Sequence, residues 1–287
     1  MVEILELHTP PADPETRSRA LAALESGGIV YLPQHPFHLT DREQVFLDPA
    51  VVNQPRRHTG RARIIVETDI GKTRRCALDD KADQTAMEAM VGRFEQWSRA
   101  FLSDLVPRYT DKLEIGPTTF RPCPRTAAQG LHVDAFFPLP TQGRRVLRLF
   151  TNVNPSGLPR VWRVAEEHFE EFSARLKSRI KREIPGSGWL LERLHATKGR
   201  RTPYDHVMRQ LRKLAKRDAD YQRNAPQRLV EFPSGATWFT FTDGVLHGAV
   251  SGQFAFEQTF FLPVAGMREP DRSPLRTLER LFHRKLA

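Results

Sequence analysis

The chain has 287 residues, 39% of them hydrophobic, which is enough to bury one large core and equally compatible with one enlarged domain or two. Two cysteines, Cys76 and Cys123, exclude a disulfide scaffold and read as reduced thiols of a cytosolic protein. A net charge of +10 points to an acidic partner, either nucleic acid, an anionic lipid surface, or a phosphorylated or carboxylated substrate.

In chain order, Met1 to His8 is too charged and too short for a secretory leader, and no stretch approaches the length of a membrane span. Asp13-Pro14-Glu15 supplies an N-cap, a proline at the first helical position and an early acid. The helix they open runs through Leu21, Ala22 and Leu24 to Gly27-Gly28. Ile29 to Pro33 reads as a short buried strand, and Arg63 to Glu67 as another. Gly71-Lys72-Thr73 has the end of a phosphate-binding loop, but Val66 stands where that loop needs glycine, so the motif is discarded. From Asp83 to Leu105, Met87, Met90, Val91, Phe94, Phe101, Leu102 and Leu105 keep helical spacing and predict a long packing helix. Strands dominate from Thr118 to Val164 and return from Leu229 to Pro263. A basic helical insertion, about 165–225, lies between them. Within it, Arg193 to Arg217 carries nine Lys/Arg against one acid, Asp205, with an apolar stripe of Val207, Met208, Leu211 and Leu214. The last segment, 273–287, places Leu275, Leu278, Leu281, Phe282 and Leu286 at helical spacing between Arg276, Arg280, Arg284 and Lys285. Such a helix either lies on an anionic membrane or docks on the core with its arginines solvated. No internal repeat and no Ser/Gly linker divides the chain, so 1–287 is expected to be a single domain.

The chemistry-bearing pattern is His132-Val133-Asp134 followed by His247, 113 residues beyond Asp134. Two imidazoles and one carboxylate can hold one face of an octahedral Fe(II) and leave three positions open for a co-substrate and O₂. His-X-acid alone is cheap: ten His and 34 acids give about one such pair by chance. A second pair, His168-Phe169-Glu170, sits in an acidic helix start and reads as a solvated helix face. His132 and Asp134 instead lie in a strand-like run, Gly130 to Phe137, where residues i and i+2 share a face. His247 follows the Asp243-Gly244 turn at the start of a later strand. In a jelly roll such distant residues face each other across the barrel. Asp243 is a spare carboxylate that could support the site, and a buried structural histidine is the competing role for His247.

Longer blocks carry a family resemblance. Leu131 to Phe136, Gln142 to Pro155, Pro159 to Val164, Thr197 to His206 and Ser251 to Phe260 together resemble the Kdo hydroxylase family over most of the chain. The resemblance implies an α+β enzyme with a double-stranded β-helix (jelly-roll, cupin-like) core, flanking helices and the basic insertion. It implies dependence on Fe(II), 2-oxoglutarate and O₂, with His132, Asp134 and His247 as the metal ligands. The implied reaction is hydroxylation at C-3 of Kdo (3-deoxy-D-manno-oct-2-ulosonic acid) to give Ko, on a Kdo-bearing lipid A precursor at the cytoplasmic face of the inner membrane. A basic, peripherally bound enzyme suits that acceptor without invoking nucleic acid.

The far carboxylate of 2-oxoglutarate needs a cation. Many oxygenases of this fold place an arginine about ten residues after the distal histidine, where this chain has Glu257 and Gln258. Arg148, the one charge in the apolar run Val146 to Phe150, is therefore the first candidate, because a buried strand does not carry an arginine without a use. Arg160 and Arg163 follow, for 2-oxoglutarate or for the Kdo carboxylate. Thr119, just before the metal-binding run, is a further candidate contact, and Arg144 and Arg145 read as solvated turn residues. Two other readings remain: a nucleic-acid demethylase, which lacks its expected arginine pair and aromatic-basic interleaving here, and a non-catalytic sugar- or lipid-binding module.

Overall fold

The structure is a computed structural model and describes residues 1–8, 13–48, 64–67, 72–74, 81–122, 124 and 128–287. Cys76, Cys123, Arg63 and Gly71 lie outside the described residues. The strands are β1 (Ile4–Glu6), β2 (Ile29–Leu32), β3 (Ile64–Glu67), β4 (Lys72–Arg74), β5 (Glu114–Arg121), β6 (Arg145–Asn152), β7 (Arg160–Ala165), β8 (Gln227–Phe232), β9 (Thr237–Phe241), β10 (His247–Ser251) and β11 (Ala255–Leu262). The helices are α1 (Pro14–Glu25), α2 (Lys81–Leu105), α3 (Phe169–Leu176), α4 (Ser187–Arg193), α5 (Pro203–Arg217), α6 (Ala219–Asn224) and α7 (Pro274–Phe282). None of the described helices is long and apolar enough to cross a membrane.

Eight strands form one sheet in the order β1-β2-β9-β6-β11-β5-β3-β4, antiparallel except for the β1–β2 pair. Three strands, β10-β7-β8, form a second antiparallel sheet. The mixed fold with its large antiparallel sheet agrees with the strand-rich halves predicted from sequence. Alternation along the central strands explains the layers. Leu147 and Leu149 of β6 and Phe239 and Phe241 of β9 share one core cluster with Leu21 and Leu24 of α1 and Met90, Phe94 and Leu102 of α2. Phe150 of β6 and Trp238 of β9 point the other way and meet Trp162 and Val164 of β7, Phe232 of β8 and Ala249 of β10. Strand β6 is thus buried on both faces, which is why it reads as an almost unbroken apolar run. Its single mid-strand charge, Arg148, falls on the face turned toward the small sheet.

Helix α1 begins as predicted: Asp13 accepts from Thr16 N at 2.8 Å and Pro14 fills the first turn. Helix α5 opens on a capping box in which Thr202 and Asp205 satisfy each other's backbone N–H. Buried Asp205 also receives the N–H groups of Thr141 and Gln142 at 2.8 and 3.1 Å, so this lone acid of the basic stretch ties α5 to the loop after the metal-binding run. The α5 stripe of Val207, Met208 and Leu211 packs on Leu131 and Val133. His168 caps α3, consistent with a helix start.

One open alternative is decided and one expectation needs correction. Helix α7 ends at Phe282, and Leu275, Leu278 and Leu286 are buried in the cluster that holds α3 and α5. With Leu281 and Phe282 packed against the same cluster, the apolar stripe is already used and has nothing left to insert into a bilayer. Arg145 is not a solvated turn residue either. It is 2% exposed, pairs with Asp243 at 2.9 Å and lies 4.0 Å over the Phe241 ring. Its neighbour Arg144 pairs with Glu114.

Candidate metal centre

His132, Asp134 and His247 come together. One ligand atom from each lies within 4.8 Å of the others, and all three side chains are buried. His247 opens β10. The run Gly130 to Phe137 is not a regular strand, contrary to the sequence expectation. It is an extended segment joined to β10 by one isolated bridge, in which His132 N and His247 N each donate to the other's carbonyl at 3.0 Å. Other groups satisfy the rest of that backbone. Asp134 N donates to Thr242 O at 2.8 Å, and the Gln222 side chain of α6 clamps Leu131 N and O at 2.7 and 3.0 Å.

Both rings are oriented by their Nδ1 atoms, which lie 2.8 Å from Gly130 O for His132 and 2.9 Å from Val245 O for His247. A carbonyl can only accept, so Nδ1 carries the proton and each Nε2 keeps its lone pair for a metal. His132 Nε2 is 3.7 Å from Asp134 Oδ1, and the ring of Trp162 stacks on His247 at 4.9 Å. Burial holds both imidazoles below their ordinary pKa, His132 well below, and so keeps them neutral. Burial alone would raise Asp134, but Arg148 and Arg212 outweigh it and hold the carboxyl well below the usual range. Two neutral nitrogens and one carboxylate are the ionisation state a divalent cation needs.

Gly248 makes this convergence possible. A Cβ there would sit 2.5 Å from Gln129 O and 2.8 Å from Gly130 O, forcing β10 away from the His132 segment. We expect Gly248→Ala to lose about 1–3 kcal/mol of stability and to weaken metal binding as well. Urea denaturation and a metal titration check the two effects, and unchanged metal affinity would show that the bridge is dispensable.

The triad opens into a cavity of about 190 Å³. Arg148 and Arg160, both predicted as anion ligands, line it from β6 and β7, and Phe136, Phe150 and Trp162 form its apolar walls. Arg163 and Thr119 are not among the lining residues. Arg163 alternates with Trp162 and Val164 and so belongs to the opposite face of the small sheet. Asp243 is taken by Arg145 rather than by the triad.

Three contributors were not singled out from sequence. Arg212 of α5 donates to Asp134 Oδ1 at 2.6 Å and to Val133 O at 2.9 Å. Arg121 of β5 donates to Glu257 Oε2 through Nε and Nη2 at 3.0 and 2.7 Å. Glu257, noted only as a departure from an arginine position, holds Arg148 at 2.8 Å from the other oxygen. Arg148 Nη1 also lies 3.1 Å from Asp134 Oδ2. The carboxylate thus anchors cations from the two strands that flank it. Alternation on β5 and β11 could have flagged Arg121 and Glu257, because they stand near one another on the same inward face. Nothing in the spacing of the nine basic residues of Arg193 to Arg217 marks Arg212 among them.

A family model for 3-deoxy-D-manno-oct-2-ulosonic acid (Kdo) hydroxylase matches residues 8–285. The chain belongs to the Kdo hydroxylase family. Its structure is similar to those of the Kdo hydroxylase KdoO, described as a non-haem Fe(II) alpha-ketoglutarate-dependent dioxygenase. One KdoO structure holds succinate and Fe(III), a second alpha-ketoglutarate and Fe(III), and a third cobalt(II). Each match has 35% identity, covers 99% of this chain and 97% of that chain, and has a TM-score of 0.90. Among curated proteins, no sequence matches.

Proposed function

We propose that this Kdo hydroxylase family member is a non-haem Fe(II)- and 2-oxoglutarate-dependent dioxygenase that hydroxylates C-3 of Kdo in a Kdo-bearing lipid A precursor, giving Ko. The two facing sheets are read as a double-stranded β-helix within one domain, with about 165–225 as its helical insertion. The enzyme works peripherally at the anionic cytoplasmic face of the inner membrane, and no nucleic-acid partner is invoked.

The observation that carries this reading is a two-His-one-carboxylate set opening into a cavity that, among the described residues, has four guanidiniums and two carboxylates. His132, Asp134 and His247 hold the iron. Bound iron, with 2-oxoglutarate and O₂, supplies the oxidising power that converts a C–H bond of Kdo to C–OH while 2-oxoglutarate leaves as succinate and CO₂. The four arginines outnumber Asp134 and Glu257 by two charges. With the two charges of bound Fe(II) added, that excess suits a dianionic co-substrate together with a sugar that bears its own carboxylate. No side chain of the cavity need act as acid or base. The protein orients C-3, excludes water with Phe136, Phe150 and Trp162, and fixes anions with arginines held in place by Glu257.

Mass spectrometry of Kdo-lipid A precursors after incubation with protein, Fe(II), ascorbate, 2-oxoglutarate and air tests the reading. The expected result is one added oxygen on Kdo, absent with His132→Ala. Succinate without that product would keep the oxygenase and reject the substrate.

Arg148 is assigned to the far carboxylate of 2-oxoglutarate. Arg148→Met should raise KM for 2-oxoglutarate roughly 10–100-fold, the loss expected for one charge-assisted hydrogen bond. Iron binding should survive, because Glu257 keeps Arg121 and Asp134 keeps Arg212. An unchanged KM, with a rise in Arg160→Met instead, would move the role to Arg160.

A further inference from the structure

We infer that the segment around α4 is a docking surface for an anionic lipid bilayer. This extends the membrane part of the proposed function and places the apolar contact on α4 rather than on the α7 stripe. Ile184, Trp189, Leu190 and Leu194 are 76%, 56%, 49% and 65% exposed, four large apolar side chains within eleven residues. Soluble proteins scatter exposed apolar residues singly, so a cluster of this size marks a contact. Leu190 and Leu194 are one helical turn apart, and Trp189, with its polar indole N–H, is a residue type that favours the lipid–water interface.

Charge identifies the occupant. Residues 177–201 contain eight Lys/Arg and two Glu. The patch borders a groove of about 1010 Å³ whose walls include the exposed cations Lys181, Arg182, Arg200, Arg284 and Lys285. Apolar side chains that enter the acyl region, ringed by cations that meet phosphates, complement an anionic leaflet, whereas a second copy of this basic surface would repel it. The basic residues after α7 contribute here as part of the rim, while the α7 stripe stays in the core.

The patch also connects to the segment that lines the cavity. Phe136 lines the cavity, and the next residue, Phe137, is exposed beneath the guanidiniums of Arg201 and Arg209 at 5.9 and 4.4 Å. A Cβ on Gly188 would lie 2.4 Å from Arg201 O, so α4 packs directly on the Arg201 backbone, whose guanidinium covers Phe137. A bilayer bound at α4 would thus lie one loop away from the cavity wall at Phe136, on the side from which a lipid-borne sugar could be presented.

The experiment is co-sedimentation with phosphatidylethanolamine vesicles, with and without phosphatidylglycerol and free of Kdo. The wild type should sediment with the anionic vesicles, less so in high salt. Brominated acyl chains should quench a fluorescence component that Trp189→Phe removes. Trp189→Ser/Leu190→Ser/Leu194→Ser should weaken partitioning roughly tenfold or more while turnover of a deacylated Kdo acceptor stays at the wild-type rate. No sedimentation of the wild type, or equal sedimentation of the triple variant, would overturn the inference. So would a wild-type dimer that the triple variant abolishes, since the patch would then belong to a second copy. Vesicle binding without Kdo hydroxylation would instead overturn the proposed function and leave the docking surface standing.

Discussion

Asp134→Ala leaves a folded protein that does not retain iron and does not hydroxylate. The effect should exceed that of removing either histidine, because two losses coincide. One ligand disappears, and with it the negative charge that compensates Arg148 and Arg212, whose Nη1 atoms lie 3.1 and 2.6 Å from its carboxylate. Both guanidiniums carry a full positive charge, so the emptied position faces a divalent cation with uncompensated positive charge. Changes behind the ligands already cost about 10–100-fold in metal affinity, and loss of Asp134 should cost more than about 100-fold on that scale. His132→Ala removes a neutral nitrogen and leaves the carboxylate in place, so it should weaken iron less. Anaerobic iron titration of the three proteins, with thermal melting in chelator as a check on folding, orders the effects. Stoichiometric iron in Asp134→Ala would remove it from the ligand set.

The contrast between what sequence showed and what it hid follows from range. Helices α1 and α2 and the strand blocks were legible because Asp13-Pro14 and the Met87-to-Leu105 spacing are local signals. The pairing of His132 and Asp134 was legible for the same reason, since i and i+2 of any extended segment share a side. Arg148 stood out because a charge inside an apolar run is anomalous wherever the strand lies. Arg212, Arg145 and the fate of the α7 stripe were hidden because each is decided by another element. Arg212 is one of several equivalent cations until α5 docks its stripe on Leu131 and Val133. The α7 stripe fits a bilayer and a protein core equally well until α3 and α5 cover it. The regular strand expected at Gly130 to Phe137 failed on the same ground: Gln222 of α6, Thr242 of the turn after β9 and His247 of β10 satisfy its backbone.

The buried pair Arg145–Asp243 yields the largest expected effect on stability, and the two single variants should differ. Burial raises the Asp243 carboxyl above its ordinary value although Arg145 opposes the shift. The folded protein therefore keeps a proton there to higher pH than the unfolded chain does. Asp243 thus adds stability in acid, below its unfolded value, and withdraws it as pH rises through its raised folded value, so the ionised pair is a weak stabiliser at neutral pH. Arg145→Met leaves an acid that can protonate, so the loss should be modest, about 1–3 kcal/mol. Asp243→Leu leaves a buried guanidinium without its counter-charge, so the loss should reach about 3–5 kcal/mol. That corresponds to a melting point lower by roughly 6–20 °C. The double variant Arg145→Met/Asp243→Leu should recover most of that loss, because an apolar pair of similar volume needs no desolvated charge. Urea denaturation of the four proteins closes the cycle. Equal losses in both single variants, additive in the double, would show that the cost lies in packing against Phe241 and Met267 rather than in charge.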